Sequence, residues 1–139
     1  GTRPGKAGLV AVGRVKDAAA SGGQRERAAA RYYLRQGCTL LAHNYRIREW
    51  EIDLIFRDRA GVVIFCEVKT RTNPDAVCRP GASVTRAKRR RLIYTARWYL
   101  QESGLTDACA RFDVAEVAPL DSGRWMVHII KSAFDACGG

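Results

Sequence analysis

Two alternating stretches, Glu51-Ile52-Asp53-Leu54-Ile55 and Phe65-Cys66-Glu67-Val68-Lys69, flank the turn-forming run Asp58-Arg59-Ala60-Gly61. This arrangement predicts a β-hairpin. Side chains alternate across a strand with period two. Glu51 and Asp53 are therefore expected on one face, with Ile52 and Leu54 on the other. Glu67 and Lys69 are expected to share a face opposite Cys66 and Val68. A pivot near residue 60 sets Asp53 across from Glu67. Simple geometry thus gathers two carboxylates and an amine on one side of the sheet.

Like charges directly opposite on a sheet repel and destabilise it. Lys69 offsets part of the repulsion between Asp53 and Glu67. A hard divalent cation offsets more, because Mg²⁺ takes oxygen ligands and needs few protein carboxylates. A cation, a water and a nearby amine are the ingredients of phosphodiester hydrolysis. The same three residues also suit the wet face of an ordinary hairpin, so spacing alone leaves both readings open.

Around the hairpin the pattern predicts a helix over residues 24–36, stopped by Gly37 in the C′ position. Ala29 and Tyr33 lie on one of its faces, beside Ala30 and Leu34, and Arg27, Arg31 and Arg35 recur on another. Strands are predicted over residues 39–47, 51–57 and 62–71, and residues 72–83, with two prolines, read as a loop. A second helix is predicted over 85–102, with Leu92, Ala96, Tyr99 and Leu100 as its apolar stripe and Gly104 ending it. Strands over 111–117 and 124–131 complete the order. The prediction is a single mixed α/β domain over residues 23–139 with a central sheet, preceded by a mobile arm over 1–22.

At 139 residues and 47% apolar content the chain can build one core. Its longest apolar run, residues 62–66, is strand-sized, far below the ~20 residues of a membrane-spanning helix; no membrane partner is expected. Gly8 and Gly13 have the spacing of a phosphate-binding loop, but Arg14-Val15 follows where Lys and Ser/Thr are needed, so no nucleotide cofactor is expected. Five cysteines without a C-x-x-C pair argue against a disulfide framework or a zinc site and for a reducing cytoplasm. His43 and His128 stand alone and read as strand surface residues. The 24 Lys and Arg against 14 acids give +10, which points to a polyanionic partner. Within that surplus, Arg86, Lys88, Arg89, Arg90 and Arg91 form a run without an acid, which favours a nucleic-acid surface over a merely solvated helix face.

Glu-Ile-Asp-Leu-Ile followed by Glu-Val-Lys-Thr-Arg resembles the YraN family of small nuclease-like proteins. The resemblance spans most of residues 22–135. It takes in Tyr33-Leu34, Gly37, Asn44-Tyr45-Arg46, Lys88 with its basic helix, Arg111-Phe112-Asp113-Val114 and Ala133-Phe134. That family is similar to Holliday-junction resolvases of the PD-(D/E)xK nuclease superfamily. The resemblance implies a restriction-endonuclease-like fold, a mixed sheet flanked by helices. It implies Asp53 and Glu67 as ligands of Mg²⁺, with Mn²⁺ as substitute, and Lys69 as the catalytic amine. A first-helix glutamate often completes such sites, and Glu26 is the matching position. Trp50 replaces the glycine usual before Glu51, and Arg25 the glycine usual before Glu26. A ring at 50 either limits the approach of substrate backbone or stacks on an unpaired base, so Trp50 and Glu51 are supporting candidates.

The expected function is hydrolysis of phosphodiester bonds in branched or otherwise structured DNA. Arg86, Lys88, Arg89 and Arg90 would hold the backbone without reading sequence, and symmetric cutting would call for a homodimer. The alternatives are a non-catalytic nucleic-acid-binding module on the same scaffold and a binding protein for an acidic partner.

Overall fold

The computed structural model describes residues 23–72 and 84–134; the expected arm over 1–22 and most of the 72–83 loop lie outside them. The elements run α1 (Gln24–Arg35), β1 (Thr39–Ile47), β2 (Trp50–Arg57), β3 (Val63–Thr70), α2 (Arg86–Glu102), β4 (Ala110–Pro119) and β5 (Trp125–Phe134). Strand order in the sheet follows the chain, β1-β2-β3-β4-β5. All neighbours are antiparallel except β3 and β4, which are parallel. Parallel neighbours require a crossover, and α2 supplies it. This α+β arrangement, a five-stranded mixed sheet flanked by helices, is consistent with a restriction-endonuclease-like fold. No described helix is long and apolar enough to cross a membrane.

Each helix covers one face. Ala29, Ala30 and Tyr33 of α1 pack on Leu40, Leu54, Phe56, Ile64, Cys66, Ala115 and Val117, while Arg27, Arg31 and Arg35 stay exposed. Leu92, Ile93, Ala96 and Tyr99 of α2 pack on Ile52, Ile55, Val63, Phe65, Phe112, Val114 and Phe134. β3, buried on both faces from Val63 to Glu67, reads as a continuous apolar run for that reason. Thr85 caps α2 by accepting the Lys88 N–H, and its other end closes with Leu105 N–H on the Leu100 carbonyl across Gly104.

The hairpin has the expected register: Arg57 faces Val63, Phe56 faces Ile64 and Leu54 faces Cys66. Asp58 shapes the turn, its Oδ1 accepting the N–H groups of Ala60 and Val62 at 2.9 Å each. Along β2, alternation fails at one place. Ile52 packs with Ile55 on the α2 side, whereas Leu54 faces α1. Opposite them, Ala42 pairs with Ile55 and Tyr45 with Ile52, an odd step in both strands. Asn44, between them, adopts φ 50, a left-handed conformation that Asn tolerates better than most residues. The side-chain parity of both strands changes there, beside Asp53.

Candidate active site

The last backbone pair between β2 and β3 is Leu54 with Cys66. Just beyond it, the Asp53 carboxylate accepts the Val68 N–H at 2.8 Å. Asp53 and Glu67 thus lie where the strands part. They line a cleft of about 220 Å³ with Glu49, Trp50, Glu51, Lys88, Arg91 and Leu92. The sheet and the β1–β2 turn supply the acids and α2 the cations.

Burial, then the neighbouring Glu67, pushes the Asp53 carboxyl up to about 7; the Val68 N–H works against the rise, and Glu26 and Glu51 add to it. Glu67 is 8% exposed, and its Oε2 holds the Lys88 ammonium at 2.5 Å. Lys88, expected among the phosphate-binding residues, is here the counter-ion of a site carboxylate.

Glu26 is buried at the start of α1, and its Oε1 has no hydrogen-bond partner. Burial raises its carboxyl above the ordinary range, Glu51 raises it further, and Arg25, Asn44 and His43 pull it back. Glu51 itself is held by Asn44 Nδ2 at 2.7 Å and by Arg46 at 3.3 Å. The left-handed turn at Asn44 therefore places an amide where it steadies Glu51. Trp50 meets Tyr94 of α2 edge-on, centroids 5.0 Å apart.

Lys69 is half-buried two residues beyond Glu67, in register with Glu116 of β4, and is not among the residues lining the cleft. Arg86 and Arg90 are exposed on α2. Arg89 is partly occupied, its Nε donating to the Val84 carbonyl. The sequence reading missed Arg91 as a wall of the cleft and Lys88 as a carboxylate partner. The run of cations was visible, but not which of them bend inward.

Among the described residues no three His, Cys, Asp or Glu side chains form a cluster able to hold one ion. Glu26 acts electrostatically on Asp53 without joining it in such a cluster. The donor set nevertheless fits a hard dication: two carboxylates together, one of them pushed towards neutrality, with an unpartnered glutamate oxygen nearby. Mg²⁺ commonly takes one or two carboxylates and keeps several waters.

The family described as uncharacterised protein family UPF0102 matches residues 25–117. The chain belongs to UPF0102. This bears out the YraN resemblance, UPF0102 being that family. A UPF0102 protein of Symbiobacterium thermophilum is 44% identical over 111 residues, covering 80% of this chain and 92% of its own. One from Desulfosudis oleivorans is 39% identical over 115 residues, 83% and 89% of the two chains. One from Ralstonia nicotianae is 45% identical over 103 residues, 72% and 78%. Among solved structures, Pyrococcus furiosus SfsA in complex with Ca²⁺ superposes with a TM-score of 0.38 at 15% identity, covering 74% of this chain and 59% of that one, a likeness too slight to inform the chemistry. The UPF0102 segment contains Glu26, Asp53, Glu67, Lys69 and Lys88; β5 lies beyond it.

Proposed function

We propose that this UPF0102 chain is a Mg²⁺-dependent endonuclease acting on branched or otherwise structured DNA. The observation that supports it is the Asp53–Glu67 pair: two like charges held together in an open cleft, one pushed up to about 7. Strongly perturbed carboxyls in a cleft mark candidate functional sites. Asp53 and Glu67 would hold the ion, which when bound supplies positive charge for the phosphate and an acidified water. Lys69 would orient that water or meet developing charge on the phosphate. Arg86, Arg90 and Arg91 would hold the backbone on either side, and Lys88 would leave Glu67 for a phosphate. A homodimer would present two such clefts to a junction.

A second reading has an observation of its own. Lys88 already neutralises Glu67, as it would in a binding module that needs no metal. Purified protein incubated with junction, flap, duplex and single-stranded DNA in Mg²⁺ or Mn²⁺ separates the two. The nuclease reading expects cleavage that stops with chelator and is lost in Asp53→Ala and Lys69→Ala. No cleavage of any substrate, or variants that cut like wild type, would remove it. Salt-sensitive binding indifferent to chelator would then favour the module.

A further inference from the structure

We infer that the outer face of α2 is a stacking track for an unpaired DNA strand leaving the cleft, with Tyr94 and Trp98 as its base platforms. The inference deepens the nuclease reading and rests on it for the substrate class: branched DNA with a single-stranded arm rather than a fully paired duplex.

Three large apolar side chains are exposed among the described residues: Tyr94 at 36%, Trp98 at 42% and Met126 at 37%. Two of the three stand on one helix, four residues apart, and so share a face. The α2 core stripe is already filled by Leu92, Ile93, Ala96 and Tyr99, so neither ring serves the interior. The edge-on contact of Tyr94 with Trp50 joins this face to the cleft wall, where Trp50 lies beside Asp53 and Glu67. The three aromatic residues thus run in order from the candidate site outward: Trp50, Tyr94, Trp98.

The surroundings choose the occupant. Arg90, Arg91 and Arg97 are exposed around the two rings, and α2 contains no acid before Glu102. That carboxylate already accepts the Tyr45 hydroxyl. An apolar protein partner would have to desolvate this dense cationic rim, whereas a polyanion is drawn to it. Of the polyanions, a duplex hides the faces of its bases and an unpaired strand offers them. Residues four apart are separated by ~6 Å along a helix axis, wider than the ~3.4 Å step of stacked duplex. That spacing suits a stretched strand laying successive bases on successive rings. Arginines beside aromatic rings are the usual construction of such tracks.

The test is equilibrium binding of the full chain in chelator, read by fluorescence anisotropy. The probes are a labelled oligo-dT of about fifteen nucleotides and a blunt duplex of equal length. Wild type should prefer oligo-dT. Tyr94→Ala and Trp98→Ala should each weaken oligo-dT binding roughly tenfold and leave duplex binding within about twofold. Trp98→Phe should stay near wild type, because any aromatic face stacks. Trp98→Leu keeps the surface charge and an apolar side chain and removes only the ring, so it should behave as the alanine variant does; thermal melts confirm that the variants are folded. Unchanged oligo-dT affinity in the ring-deleted variants overturns the inference. So does equal loss on duplex, or a wild-type preference for duplex. Since no metal is present, failure here leaves the cleft reading standing. A protein that prefers oligo-dT yet cuts no flap in Mg²⁺ retains the track and loses the nuclease.

Discussion

Asp53→Asn keeps the shape of the side chain and its ability to accept the Val68 N–H while deleting the charge. The native carboxyl is pushed from 3.8 up to about 7, first by burial and then by Glu67. Below about pH 3.8 both folded and unfolded chains carry the proton, and the site costs nothing. As pH rises from there towards 7, the unfolded chain releases its proton while the folded chain keeps it. Stability is therefore lost across that window, at ~1.36 kcal/mol per pH unit. Above 7 both states are ionised and the cost stays constant. The whole window corresponds to ~4 kcal/mol, and screening by solvent in the open cleft reduces this to ~2 kcal/mol. Asp53→Asn should therefore match wild type near pH 4 and exceed it by about 2 kcal/mol at pH 8 in chelator. Urea unfolding at a series of pH values from about 4 to about 8.5 measures the gap. A gap that does not widen with pH, or a variant less stable than wild type at pH 8, would refute the electrostatic account. Saturating Mg²⁺ should then narrow the gap at pH 8, because an ion that binds only the folded carboxylate pair stabilises wild type alone. A gap unmoved by Mg²⁺ would count against the pair as a cation site.

Three further substitutions probe the surroundings. Lys88→Met removes the ammonium from Glu67; it should lower stability by about 1 kcal/mol in chelator, the pair being half-exposed, and tighten Mg²⁺ binding measured by calorimetry. Tyr33→Phe deletes the hydroxyl that donates to buried Asp113 at 2.7 Å and should cost about 2 kcal/mol in urea unfolding. Gly37→Ala puts a Cβ on a residue at φ 88, against the Arg59 guanidinium. Arg59 can swing away, so the expected loss, about 1–2 kcal/mol by thermal or chemical denaturation, comes from the backbone.

What the sequence made legible was whatever depends on local rules. The Asp58–Gly61 turn sets the hairpin register, so pairs such as Leu54 with Cys66 follow from counting alone. The 3.6-residue periodicity of Ala29, Ala30 and Tyr33, and of Leu92, Ala96 and Tyr99, gives the buried faces of both helices. β5 runs to Phe134 rather than 131 because Phe134 stacks on Phe112, a contact between residues 22 apart that no local pattern announces. The parity change at Asn44 was equally hidden, since an asparagine at positive φ inside a strand reads like any other strand residue. For that reason Ile52 was expected opposite Asp53 and Glu51 in strict alternation, and the fold places it with Ile55.

Buried acids are where sequence says least and the fold says most. Asp113 of β4 receives the Tyr33 hydroxyl, the Arg111 guanidinium and the Ser132 N–H, and Glu116 receives Arg71 at 2.7 Å. In sequence these carboxylates look no different from Glu26 or Asp53. The fold treats the two groups unequally: β4 acids are met by donors from α1, β5 and their own sheet, so they brace the structure. Across the sheet, Glu26 Oε1 is the one buried side-chain polar atom without a partner among the described residues, and Asp53 faces another carboxylate. Native interiors satisfy their polar groups almost everywhere, and this sheet does so at β4. A chain able to provide three donors to Asp113 did not lack the means to neutralise Asp53. The imbalance at the β2–β3 end is what the proposed dication would offset, since an ion between Asp53 and Glu67 supplies the charge that no described side-chain donor gives Asp53.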